Sequence, residues 1–124
     1  MRVILVGVPG ERERLRSELP PGVFEIVGEF STIGAARSSS LDADGILTAA
    51  RPIDRGPLAE PLTRREIEVL ELLVEGLSNK TIAARLGISD QTVKFHVAAI
   101  CGKLDAANRT DAVRRAIRRG LVTV

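Results

Sequence analysis

Between Arg85 and His96 the sequence reads RLGISDQTVKFH, bringing a glutamine, a lysine, two hydroxyl side chains, a phenylalanine and the chain's single histidine into twelve positions. None of these residues forms a nucleophile and base pair at recognisable spacing. One histidine and one cysteine in the whole chain do not supply the four ligands of a structural zinc site. The chemistry left to them is hydrogen-bond donation, anion contact and apolar contact at a surface, which implies no cofactor, no metal and no catalytic residue.

Apolar residues in this region recur with helical period, so the stretch from Gln91 to Leu104 reads as a helix. At about 100° per residue, Val97, Ile100 and Leu104 fall within roughly 40° of Val93 and form the inward stripe with it. Gln91, Lys94, Phe95 and Ala98 lie on the opposite side, flanked by Thr92, His96 and Lys103. A phenylalanine beside a lysine, with small residues at 98, 99 and 102, is odd for a merely solvated face. It suits a helix that enters a DNA groove. Lysine can donate to guanine O6 and N7, phenylalanine or Ala98 can touch a thymine methyl, and small residues permit close approach. His96 is equally well read as a structural hydrogen-bonder or as a phosphate contact. Cys101 falls toward the core side and reads as packing.

The elements around this helix are legible from their caps. Thr63 and Glu66 form a capping box ahead of Ile67, Leu70, Leu73, Val74 and Leu77. Ser78 or Asn79 caps a second helix through KTIAARL, which Gly87 ends, and Ser89 caps the helix that carries Lys94. Thr110 is expected to cap a last helix, DAVRRAIRR, closed by Gly120. Two helices joined through Gly87 and Ile88 make a helix-turn-helix candidate. Asn79, Lys80, Thr81, Ser89 and Thr92 sit at or near capped helix starts, where backbone N–H groups meet phosphates. Such helix pairs also occur in proteins that never touch DNA, so spacing alone leaves a protein-interaction module open.

The first half has a different rhythm. RVILV, FEIVGEF and DGILTA are short apolar runs, separated by the charged segment PGERERLRSELPPG and by STIGAARSSSL. Strand, helix, strand, helix, strand argues a small parallel sheet with right-handed crossovers. The fold class is therefore α/β over residues 1–50, a proline- and glycine-containing linker over 51–61, and an all-α four-helix unit over 62–124. Charge divides along the same line. Residues 1–60 hold seven arginines and no lysine against nine acidic residues, and residues 61–124 hold eleven basic against seven acidic. The basic second half fits a polyanionic partner. Hydrophobic content of 44% and charged content of 27% are those of a globular chain. The apolar opening MRVILVGVPG is too short to be read as a signal peptide or a bilayer span. A cytoplasmic location without membrane contact is expected.

LTRRE, EGLSNKTIA, LGIS, TVKFH, the KL at 103–104 and NRTDAV occur in one order across residues 62–122. Taken together they resemble the LuxR/NarL/FixJ type of DNA-binding domain. The resemblance implies a transcriptional regulator whose third helix lies in the major groove. Lys94, Phe95 and Ala98 would then be base-facing, with Asn79, Lys80, Ser89 and Thr92 near phosphates. It also implies a dimer contact on the last helix, where Ala112, Ala116 and Arg119 form a second stripe beside Val113 and Ile117. Alanine is also simply a good helix former, so that stripe is open to both readings. Gly102 departs from the longer residue usual in the family and costs about 1 kcal/mol of helix stability.

The front half resembles the start of a response-regulator receiver, with departures. Gly7, Val8 and Pro9 stand where a receiver has acidic residues, and Ala49 stands where it has its phosphoacceptor aspartate. Asp42 and Asp44 fall at the start of the third strand, Asp44 roughly 15 Å from its carboxyl end at about 3.3 Å per residue. The last two strand–helix units of a receiver, with the lysine they carry, have no counterpart before the linker. A receiver remnant without aspartyl phosphorylation is expected, leaning on its own DNA-binding domain, on a second copy of itself or on another protein, because its outer strands would be edges. A nucleotide-binding or phosphotransfer reading would rest on GVPGER, which fits neither Gly-rich phosphate-loop pattern.

Overall fold

In the computed structural model the described residues are 1–48 and 60–123. The chain divides into two compact units, Met1–Ile53 and Asp54–Val124. Most of the expected linker (51–59) and the phosphoacceptor position, Ala49, lie outside the described residues.

The first unit runs β1 (Arg2–Val6), α1 (Pro9–Glu18), β2 (Glu25–Phe30), α2 (Ile33–Ser38) and β3 (Gly45–Thr48). Its sheet is parallel in the order β2-β1-β3. Alternation along β1 builds a core on each face, as period two requires. Val3 and Leu5 pack with Leu15 of α1 and Leu47 of β3. Ile4 and Val6 point the other way and pack with Ala36 of α2. Pro9 opens α1, its fixed φ suiting a first helical position. Thr32 caps α2 by accepting from the Ala35 N–H at 3.1 Å. The β1–β2 register slips between Val3 and Ile4, which pair with Ile26 and Gly28. A Cβ at Gly28 would meet a Leu41 methyl group, so a larger residue there would have to displace that exposed side chain.

The second unit is helical: α3 (Arg64–Val74), α4 (Asn79–Leu86), α5 (Asp90–Leu104) and α6 (Arg109–Arg118). Thr63 and Glu66 form the expected capping box, and Ser78 rather than Asn79 caps α4 by accepting from the Thr81 N–H. Gly87 ends α4 in the left-handed region at φ 67°, and Ser89 caps α5 two residues later. Helix α5 packs against α3, α4 and α6, and Val93, Ile100 and Leu104 are fully buried beneath it. The inner face of α3 differs somewhat from the sequence reading. Val69, Leu70 and Leu73 are buried with Glu66, whereas Ile67 and Val74 are only half-buried.

Two expectations about α6 are corrected. Asn108, not Thr110, is its cap, accepting from the Asp111 N–H at 2.9 Å. Asp111 also accepts from the Ala107 N–H at 3.1 Å, holding the residue just ahead of the cap. Thr110 therefore lies inside the helix and is buried. Ala112 and Ala116, read as a contact stripe for a second copy, are also fully buried. The helix is covered round most of its circumference from Thr110 to Ala116, so these methyl groups present no exposed face. Arg119 is half-exposed.

The glycines give opposite expectations. Gly102 lies exposed within α5 with open space around a would-be Cβ, so Gly102→Ala should stabilise the chain by about 0.5–1 kcal/mol. Gly87→Ala meets no clash either, but its positive φ should make it destabilising by roughly 1 kcal/mol. Chemical denaturation of the two variants beside wild type checks both signs.

Candidate nucleic-acid interface

The outer face of α5 is the one the helical wheel placed outward. Gln91, Lys94, Phe95 and Ala98 are all exposed, and Phe95 is 68% exposed. Among the described residues it is the most exposed of the large apolar side chains. Thr92 and His96 flank the face half-buried. Ser89 and Thr92 share a hydroxyl–hydroxyl hydrogen bond of 2.8 Å while the Ser89 Oγ accepts from the Thr92 N–H.

A second group gathers at the start of α4. The Ser78 and Thr81 hydroxyls lie 3.0 Å apart, the Ser78 Oγ accepts from the Thr81 N–H, and Lys80 is exposed beside them. Asn79 is half-buried, and its Oδ1 accepts from Arg109 Nη1 at 2.9 Å. Each helix start offers N–H groups that lack an intrahelical partner, which favours negative charge nearby.

Lys103 belongs to neither group, a correction to its placement on the flank of the outer face. Its Nζ donates to Glu66 Oε1 at 2.6 Å and to the Pro61 carbonyl at 3.2 Å. The pair is largely buried, with side-chain exposures of 13% and 5%. It ties the last turn of α5 to the first turn of α3, and so fixes which way the outer face of α5 points. Sequence reasoning saw Glu66 only as a capping residue. The one signal for the pair was a glutamate on the apolar side of its own helix.

Asp111 is a comparable node on α6. Its two carboxylate oxygens accept from Arg114 at 2.9 Å and from Arg115 at 3.0 Å, besides the Ala107 N–H. Burial alone would push the Asp111 carboxyl up, but these three donors outweigh it and hold the group below its ordinary range. For Glu66, burial again pushes up, and the Lys103 ammonium with the Thr63 N–H and hydroxyl bring it below the usual carboxylate range. Burial, followed by the charge of Asp111, pushes the Cys101 thiol up. A raised thiol is a poor nucleophile, consistent with packing.

At the carboxyl end of the first unit's sheet, Val8 is 58% exposed and Gly7 and Pro9 flank it. The acidic pair sits at the other end. Arg2 N–H donates to Asp44 at 2.8 Å and its guanidinium to Asp42 at 3.2 Å. Among the described residues no cluster of His, Cys, Asp and Glu could hold a metal ion. None of the described helices is long and apolar enough to cross a membrane.

Residues 60–116 match the family described as bacterial regulatory proteins, luxR family. The chain is similar to the uncharacterized transcriptional regulatory protein YxjL of Bacillus subtilis (strain 168), 52% identical over 115 residues that cover 87% of this chain and 51% of YxjL. It is 49% identical over 63 residues to the transcriptional regulatory protein DegU of Brevibacillus brevis, covering 51% of this chain and 27% of DegU. Of solved structures, the transcription factor GerE is 37% identical, covering 50% of this chain and 92% of GerE, with a TM-score of 0.48. The response regulator ChrA of a heme-sensing two-component system is 24% identical, covers 98% of each chain and has a TM-score of 0.50, a likeness of fold alone. The chain spans about half the length of YxjL and less than a third of DegU.

The two depressed carboxylates fix an acid dependence. Their native values lie below those of the unfolded chain, so their stabilisation is complete above the unfolded carboxylate range, about pH 4, and is lost as pH falls through the native values. Thermal unfolding of the full chain should be level between about pH 5 and 7 and should fall steadily below about pH 4. Glu66→Gln should lower stability near neutrality by roughly 2–4 kcal/mol, leaving Lys103 without its counter-charge, and should flatten the acid dependence. A pH series of melts on both proteins checks this.

Proposed function

We propose that this chain, whose residues 60–116 match the luxR family of bacterial regulatory proteins, is a DNA-binding transcriptional regulator that reads sequence with α5. The observation that carries the reading is Phe95, exposed beside Lys94, Gln91 and Ala98 on a helix whose opposite stripe buries Val93, Ile100 and Leu104 fully and Val97 in part. In the major groove Lys94 donates to a guanine edge, Gln91 pairs with an adenine, and Phe95 and Ala98 contact thymine methyl groups. Asn79, Lys80, Thr81, Ser89, Thr92 and His96 face phosphates and set the register. The protein acts in the cytoplasm, without enzymatic activity.

The front half, residues 1–50, joined through a linker at 51–61, is a receiver-like unit that works without aspartyl phosphate. Support for this comes from Gly7, Val8 and Pro9 in place of acidic residues, and from Asp42 and Asp44 engaged with Arg2 at the far end of the sheet. The active species on DNA is a homodimer. Strand β2, which pairs only with β1 among the described residues, favours a further contact by the front half, with a second copy or another protein.

Selection of bound duplexes from random sequence should return a defined half-site, and its spacing reports the oligomer. On the selected site Lys94→Ala should cost about 1–3 kcal/mol of binding and relax preference at one position. An equal loss on every sequence, with a salt slope lower by about one, would instead make Lys94 a phosphate contact. Treatment of the full chain with a phosphodonor and magnesium should add no phosphate by mass, and a stable aspartyl phosphate would overturn the reading of the front half. Sedimentation with saturating DNA should give two chains per site; a single chain would end the dimer proposal.

A further inference from the structure

Arg109 opens α6, yet its guanidinium reaches across to the start of α4. Nη2 donates to the Leu77 carbonyl at 2.7 Å and Nη1 donates to Asn79 Oδ1 at 2.9 Å. The fork therefore holds the backbone just before the Ser78 cap and the side chain just after it. The consequence for Asn79 is chemical. An amide has an acceptor end and a donor end, and an acceptor turned toward a phosphate would repel it. Arg109 occupies the acceptor end. The Nδ2 donors then have no partner among the described residues, and they sit in the same open first turn as the exposed Lys80 and the capped Thr81.

We infer that Arg109 is a positioning residue for DNA binding: by taking Asn79 Oδ1 and the Leu77 carbonyl, it turns the Asn79 amide N–H groups toward a DNA phosphate at the start of α4. This rests on the DNA-binding reading above. It adds a residue from α6, a helix with no base-facing or phosphate-facing assignment, to the machinery that grips the backbone. Arginine suits this because its planar fork serves the two acceptors from two nitrogens in fixed geometry, whereas a lysine offers a single nitrogen.

The test is a cycle on the full chain, measuring dissociation constants on a selected and an unrelated duplex, with a thermal melt of each variant. Arg109→Lys keeps the charge and loses the fork. It should weaken binding about tenfold on both duplexes, the worth of one charge-assisted hydrogen bond, with base preference unchanged. Asn79→Ala should weaken it similarly, and the double variant should be no weaker than Asn79→Ala alone, because Arg109 acts through Asn79. Losses that multiply in the double variant, or Arg109→Lys binding like wild type, would overturn the inference. Should Arg109→Lys fail to fold, Asn79→Asp decides. It keeps and strengthens the acceptor for Arg109 while replacing the donor NH2 by a carboxylate oxygen. Its melting temperature should hold or rise while affinity falls further than in Ala84→Asp, which adds the same charge on the exposed side of α4. Losses equal to that control would refute the role. Wild type that binds no duplex even at low salt would remove the DNA-binding reading itself, an outcome distinct from wild type that binds with indifferent variants.

Discussion

Everything the second unit offers to a partner depends on the rotational setting of α5 about its own axis. Val93, Ile100 and Leu104 are buried along one side, and a helix with one apolar stripe in a core has no freedom to turn. At 3.6 residues per turn the residues diametrically opposite follow by geometry. Two polar devices hold the setting at its ends. Gly87 in the left-handed region and the Ser89 cap determine where α5 begins relative to α4. The Lys103–Glu66 pair anchors its last turn to α3. A rotation large enough to hide Phe95 would draw three large side chains out of the core and break that pair.

The same setting explains what could be read in advance. The outer face of α5 was legible because it needs only the period of the helix and the identity of the apolar stripe, both local properties. The caps at Thr63, Ser78 and Ser89 were legible for the same reason. Thr110 was misassigned because NRTD contains three residues able to cap, and the choice rests on the Asn108 side chain accepting from the Asp111 N–H, a bond the spacing leaves undetermined. Lys103 was misplaced because a wheel gives direction but not depth. A lysine on the flank stays in water unless an acid from another helix meets it, and Glu66 lies 37 positions away in sequence. The burial of Ala112 and Ala116 is likewise a matter of what surrounds α6, which the helix's own periodicity does not contain.

In the first unit, order followed from alternation. A βαβαβ chain with right-handed crossovers leaves few arrangements, and placing β1 in the middle lets its two faces serve both helices. Sequence could not supply the slipped register opposite Val3 and Ile4, nor that a Leu41 methyl group would lie over Gly28. The second depends on a segment folding back from beyond α2. The aspartates before β3 illustrate the same point. Their distance along the strand ruled them out of the carboxyl end, and only the structure shows Arg2 as their partner.

The ion pairs of the second unit alter what its basic composition means at a distance. Asp111 sits between Arg114 and Arg115, Glu66 holds Lys103, and Glu75 and Glu68 lie against Arg85 and Arg65. Charges closed on one another project little field beyond a Debye length, about 8 Å at physiological salt. What a polyanion would sense from afar is therefore the excess of basic over acidic groups rather than the count of arginines, and Lys80 and Lys94 are exposed within it. On the DNA-binding reading proposed above, close contact rather than long-range attraction would decide an encounter, so dwell time on a site, more than speed of arrival, would separate one sequence from another.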